Sequence, residues 1–163
     1  GPESPWEAQP FERRSPRPPH NPANPLLSFG YTLPAREISP ALHASGLDPA
    51  LGFLHEPDDG CPSLSLDLLE PLRAPIADAL ALDLLNHQTL HPDRHFDLHD
   101  GGIYLNLEGR RRYYVAYERR LERPFTSEQT CERTTLRQEI LRQVHSLKRA
   151  IRLRDPFEPF LMN

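Results

Sequence analysis

In the stretch "SLSLDLLEPLRAPIADALALDLL", Leu66, Leu69, Leu72, Ile76, Leu80 and Leu84 recur every three or four residues. That period lays one apolar stripe along a helix, and it predicts helix from Pro62 to about Gln88. Asp67, Glu70, Ala74 and Asp78 follow the same period on another face. Pro71 has no N–H to give the Asp67 carbonyl, so the helix should bend where the acids are. Two carboxylates one turn apart repel each other unless a cation or a proton sits between them. His55 lies twelve residues before Asp67, at the end of the apolar tripeptide "GFL". An imidazole with two carboxylates makes a plausible Mn²⁺ or Mg²⁺ site, and the imidazole tilts the choice toward Mn²⁺. The plainer reading of the same residues is two solvated acids and a capping histidine.

The rest of the chain also reads as helix. Residues 1–21 are a proline-rich arm, and residues 1–25 hold eight prolines. Asn21-Pro22 or Asn24-Pro25 supplies a cap with proline at the first helical position. Leu26, Leu27, Phe29, Leu33, Ile38 and Leu42 suit a mostly buried helix, which Pro34 and Pro40 should bend or interrupt. Gly46 is a good stop for it. Residues 89–105 read as loop, with at most a short irregular strand near 103–107. Further helices are expected from about Leu107 to Glu122 and from about Glu132 to Arg154. In the last one, Leu136, Ile140, Val144, Leu147 and Ile151 form the core stripe. The fold class is all-α, with one domain over residues 22–160.

Charge divides the chain. Residues 1–105 carry 6 basic and 15 acidic side chains, whereas residues 106–154 carry 13 basic and 6 acidic. A basic C-terminal third inside a chain of net charge −4 could meet an anionic polymer. Arg111 and Arg112 stand beside Tyr113, Tyr114 and Tyr117, and Arg149 and Arg152 belong to a stripe with Arg142 and His145. Arginine and tyrosine on one surface suit phosphate contacts and base stacking, and a solvated amphipathic helix is the plainer alternative. His87, His91, His95 and His99 have the four-residue spacing of zinc ligands, but Pro92 interrupts them, and a polar surface loop is the better reading. The isolated Cys61 and Cys131 read as reduced thiols in a cytoplasmic protein. No membrane span or nucleophile elbow is apparent. Gly1-Pro2 reads as the scar of a cleaved tag, so the natural chain is expected to extend upstream.

The order of four segments carries more information than any one of them. "NPANPLLSFGYTL", "GLDPALGFLHE", "SLSLDLLEPLRAPIAD" and "GIYLNLEGRRRYYVAYERRL" together resemble the C-terminal helical domain of the CRISPR-associated spacer-acquisition integrase, the "Cas one" family. The resemblance covers roughly residues 11–160. It implies insertion of short DNA segments into a CRISPR array by attack of a 3′-hydroxyl on a phosphodiester, with a divalent Mg²⁺ or Mn²⁺ polarising the phosphoryl oxygen. On this resemblance, His55 and Glu70 are the catalytic metal ligands and Asp67 is an auxiliary one. Arg73 matches an arginine usual after the glutamate and is carried over as a DNA contact. Asn24 and Tyr31 fall on the family's "N..LS.GY" pattern.

The resemblance also implies partners: double-stranded DNA, a homodimer in the parent protein, and the small dimeric CRISPR-associated adaptation partner. Some features depart from the pattern. The family's first metal ligand is a glutamate in an upstream motif that this chain lacks, and Glu3, Glu7 and Glu12 have the wrong context. The N-terminal β-domain is missing, so the chain reads as a fragment that is itself inactive. Pro34 replaces a residue that is usually apolar, and Cys61 stands where a basic residue is common. The competing class is a helical DNA- or partner-binding module without chemistry.

Overall fold

The structure is a computed structural model, and it describes residues 21–48, 67–157 and 159. Helix α1 spans Ala23–Ala44 and starts at the first of the two expected caps. The Asn21 side chain accepts the Asn24 N–H at 3.1 Å. The helix continues through Pro34 and Pro40, so of the expected bend or interruption the interruption does not occur. A proline inside a helix costs about 3 kcal/mol, whereas each fully buried Leu or Ile contributes about 1.5–3 kcal/mol. Leu26, Ile38 and Leu42 are all essentially inaccessible, so packing outweighs the local cost. Gly46, at φ 78°, ends the helix as its sequence suggests. The Leu47 N–H returns to the Leu42 carbonyl at 3.0 Å and the Gly46 N–H to His43 at 2.9 Å.

The segment with the two acids is helical from 67 onward, but it is not one regular helix. A 3-10 turn, Glu70–Leu72, is followed by a π-helical stretch, Ala74–Asp78, and then by α2, Ala79–Asn86. Pro71 and Pro75 each remove one N–H from the ladder, and the chain answers with a tight turn and then a wide one. The part expected from Pro62 to Leu66 lies outside the described residues. Gly30 of α1 sits directly on the wide turn: a Cβ there would come within 2.6 Å of the Ala77 Cβ. α1 and the π-helical stretch therefore meet almost backbone to backbone.

Residues 92–105 correct the expected loop. A helical turn, α3 (Pro92–His95), leads into β1 (Phe96–His99), which pairs antiparallel with β2 (Gly102–Leu105), Phe96 opposite Leu105. Asp100 and Gly101 both have positive φ, which is what a two-residue hairpin turn requires. Helix α4 spans Leu107–Glu122, the bounds its sequence predicts, and the Asn106 side chain caps it by accepting the Gly109 N–H at 2.9 Å. A second small pair, β3 (Phe125–Thr126) with β4 (Arg133–Thr134), precedes α5, Leu136–Leu153. Thr135 and Gln138 form a reciprocal capping box at its start. The molecule is mostly helical, with two short strand pairs where at most one irregular strand was expected. Ile151 was expected in the core stripe of α5 and is instead half exposed, while Leu136, Ile140, Val144 and Leu147 are buried.

One guanidinium ties three helices together. Arg137 at the start of α5 contacts Glu37 of α1 at 3.0 Å, Glu118 of α4 at 2.8 Å, and Glu122. Tyr117 donates to the other Glu37 oxygen at 2.9 Å. Burial raises the Glu37 carboxyl above its ordinary range, and the neighbouring Glu118 and Glu122 add to that. Tyr117 and Arg137 oppose it. Burial, then the Glu37 carboxylate, pushes the Tyr117 hydroxyl far up, so it stays a donor at every ordinary pH.

His95 corrects the surface-loop reading of the histidine run. It is buried, and its Nδ1 accepts the His91 N–H at 2.7 Å. Burial, then the charges of Arg112 and of a protonated His91, lower its pKa. Because the folded value lies below the unfolded one, this residue's contribution to stability is complete above about pH 6.5 and is lost as pH falls through the folded pKa. Protonation would turn Nδ1 from acceptor to donor and break the bond to His91. In a urea titration series from pH 7.5 to 5, the wild type should lose stability relative to His95→Asn, which keeps an acceptor but cannot titrate there.

Candidate metal centre and basic face

Glu70 opens the 3-10 turn and Arg73 follows it, so the two side chains meet across one turn. Arg73 Nη1 lies 2.7 Å from Glu70 Oε1, and both side chains are a little over one-third exposed. The guanidinium stands over the ring of Tyr31, 4.4 Å from its centroid. The Tyr31 hydroxyl donates to Asp78 Oδ1 at 3.1 Å. Glu70, Arg73, Tyr31 and Asp78 thus form one chain of contacts linking α1 to both ends of the irregular segment. Burial works against the charge of Arg73, but its contacts with Tyr31 and Glu70 outweigh that and raise its pKa.

Asp67 lies one helical turn before Glu70. His55 lies outside the described residues, so its expected approach to Glu70 is not part of this geometry. Among the described residues, no three His, Cys, Asp or Glu side chains converge on one point. The donor chemistry still suits the implied ion. Glu70 and Asp67 offer hard carboxylate oxygens, Glu70 is open to solvent, and these are the ligands Mg²⁺ and Mn²⁺ prefer. Their shell would be completed by an imidazole such as His55 and by water.

The basic third is partly what its sequence suggests. Arg111, Arg112, Arg149 and Arg152 are exposed, although Arg112 pairs with Glu108 at 3.0 Å. The tyrosines are a correction. Tyr113 and Tyr117 are wholly buried, and of the three only Tyr114 is at the surface. Positions 113, 117 and 121 fall on the inner face of α4, and spacing alone could have indicated it. Arg119, Arg120 and Arg123, not singled out from the sequence, line a groove of about 430 Å³ between α2 and α4 together with Arg112 and His87. Arg120 is held by Asp83 at 3.0 Å and by the Pro75 carbonyl, whereas Arg119 and Arg123 have no carboxylate partner among the described residues. Beside the groove, Phe29, Leu33, Leu107, Tyr114 and Val115 line an open apolar pocket of about 750 Å³, edged by Arg110 and Arg111. No helix among the described residues is long and apolar enough to cross a membrane.

The domain is mostly helical, with a partly exposed Glu70–Arg73 pair and an arginine-lined groove between α2 and α4. Comparison with known proteins gives the family. The chain belongs to the family described as "CRISPR associated protein Cas1", whose model matches residues 5–119. It is 44% identical over 123 residues to a "CRISPR-associated endonuclease Cas1 1" of Chlorobaculum tepidum, which covers 72% of this chain and 36% of that protein. The fold is similar to that of a CAS1 protein from Thermotoga maritima, with a TM-score of 0.78, 31% identity, and coverage of 90% of this chain and 45% of that one. It is also similar to a chain of a "Cas6-RT-Cas1--Cas2 complex", with a TM-score of 0.78, 27% identity, and coverage of 97% and 17%. The chain spans between about a third and a half of the first curated relatives it matches.

Proposed function

We propose that this chain is the catalytic helical part of a DNA integrase and endonuclease that inserts short DNA segments into a CRISPR array in the cytoplasm. The observation that carries the proposal is the Glu70–Arg73 pair, an acid for a metal beside a cation for a phosphate, in a member of this family. Glu70 and His55, with Asp67 as auxiliary, would hold Mg²⁺ or Mn²⁺. When bound, the ion would polarise a phosphoryl oxygen and offset the charge that develops there. Arg73, charged at any working pH, would pair with a phosphate oxygen. Tyr31 and Asp78 hold the guanidinium in place, which limits the reorganisation needed when the phosphodiester arrives. The attacking group is a DNA 3′-hydroxyl, and no covalent protein intermediate is required.

The partners follow from the same reading: duplex DNA as precursor and target, a second copy of the parent protein, and the small Cas2 subunit. The Cas2 proposal is supported by the complex to which this fold is similar. The test is strand transfer of a short duplex into a supercoiled plasmid, run with Mn²⁺ or Mg²⁺ on this chain and on the longer protein that carries it. Metal-dependent products from the longer protein are expected, and their absence would overturn the integrase reading. This chain alone should give none, because a shell with few protein ligands holds metal, phosphate and nucleophile too loosely.

The exposed arginines predict an electrostatic footprint. DNA affinity should fall by roughly one logarithmic unit per logarithmic unit of salt for each phosphate neutralised. Replacing Arg111, Arg112, Arg149 and Arg152 with alanine should flatten that slope in a salt titration read by fluorescence anisotropy. The same slope in the variant would place the contacts elsewhere, with the α2–α4 groove the next surface to mutate.

A further inference from the structure

We propose that Arg73 is an exchange group that couples cation binding at Glu70 to DNA binding, and that Tyr31 is the platform on which it turns. The inference rests on Glu70 being a metal ligand. Three contacts motivate it. Arg73 Nη1 is 2.7 Å from Glu70 Oε1, the guanidinium lies 4.4 Å above the Tyr31 ring, and the Tyr31 hydroxyl is fixed to Asp78 Oδ1 at 3.1 Å. The ring underlies the guanidinium while its donor edge reaches Glu70. That edge matches a carboxylate and a phosphate equally well. Without a metal, the Glu70 carboxylate is a partner of Arg73, at 2.7 Å from Nη1. With a divalent cation on Glu70, the carboxylate would be drawn from Arg73 and the guanidinium would be repelled. Arg73 is then free for a phosphate oxygen without leaving Tyr31. The wide turn over Ala74–Asp78 brings Asp78 to where it can fix the platform from behind.

The consequence is reciprocal. If metal frees Arg73 for DNA, DNA must tighten metal by the same factor. The experiment measures Mn²⁺ affinity of the longer protein by electron paramagnetic resonance of free Mn²⁺, with and without a short DNA duplex. The wild type should bind Mn²⁺ about tenfold more tightly with the duplex, a coupling within the usual range. Arg73→Gln should bind Mn²⁺ severalfold more tightly than wild type without DNA, because Glu70 has lost its competitor. Its gain on adding duplex should drop below about twofold. Tyr31→Leu should keep the wild-type Mn²⁺ affinity without DNA but lose the coupling, a split that a merely structural role would not produce. Should Arg73→Gln fail to fold, Arg73→Lys keeps the charge, loses the planar fork, and should show reduced coupling. Wild-type Mn²⁺ affinity and undiminished coupling in the Arg73 variant would overturn the exchange. Glu70→Gln separates the two layers. Loss of Mn²⁺ binding in it supports the metal reading, while unchanged binding, or none in the wild type, overturns that reading and the exchange with it.

Discussion

Replacing Arg137 with methionine should lower the stability of the domain by about 2–3 kcal/mol, which for a chain of this size is a drop of very roughly 5–10 °C in melting temperature. The side chain is about one-third exposed, which places the effect below that of a fully buried pair. What makes it large is the company left behind. Glu37, Glu118 and Glu122 all lean on this one cation, and without it three carboxylates from two helices face each other. Methionine fills similar space, so lost packing contributes little. The pH dependence gives a second check. Glu37 already has a raised folded pKa, so its contribution to stability is fully present below its unfolded value and is lost as pH rises through the folded one. Removing Arg137 takes away an influence that lowers that pKa, so the variant should lose still more stability between about pH 4 and neutrality. Glu37→Gln in the same background should recover part of the loss, because the amide still accepts from Tyr117 and carries no charge. Urea denaturation of the four proteins at pH 5 and pH 7.5 closes the cycle. A loss below about 0.5 kcal/mol would mean that the cluster is only a surface ornament.

Glu70→Ala in the longer protein should abolish metal-dependent strand transfer and cleavage while leaving DNA affinity close to that of the wild type, and His55→Ala should do the same. A metal ligand differs from a phosphate contact in this respect. Removing it costs the chemistry, by on the order of a thousandfold or more, whereas removing one arginine weakens binding and leaves residual turnover. Glu70→Ala also releases Arg73, whose charge remains available for the phosphate. DNA binding should therefore hold or rise slightly. Full strand transfer in Glu70→Ala would remove Glu70 from the ligand set. Equal loss of DNA affinity and of product would mean that the residue supports the fold rather than the reaction.

How much of this was legible in the sequence depended on whether local rules or tertiary contacts decided. Helix α4 was readable to its ends, because its period and its neighbours agree. Gly46 was readable as a stop because only a residue free to take positive φ fits there. Pro34 and Pro40 do not interrupt α1, because burial that only the folded state supplies outweighs a local cost of a few kcal/mol. The β1–β2 hairpin was missed although Asp100-Gly101 is a recognisable turn pair. Its strands are four residues each, too short for alternation to stand out, and half of the first is polar. Glu139 and Gln143 are buried despite their polar side chains, at positions that three- and four-residue spacing from Leu136 and Leu147 puts on the inner face. At the site, the Glu70–Arg73 contact follows from three-residue spacing. The link from Arg73 through Tyr31 to Asp78 joins positions 47 residues apart and needed the fold. Net charge points to the basic third, but it does not separate arginines held by Asp83 and Glu108 from those in the groove that have no carboxylate partner among the described residues.

The central claim is that Glu70 and His55 share a divalent cation. Anomalous diffraction at the manganese edge from crystals of the longer protein grown with Mn²⁺ tests it most directly. The account predicts a single strong peak bridging a Glu70 oxygen and a His55 ring nitrogen, with Asp67 nearby and Arg73 moved off Oε1. A peak elsewhere on the chain, or none at Glu70 with Mn²⁺ in excess, would contradict it.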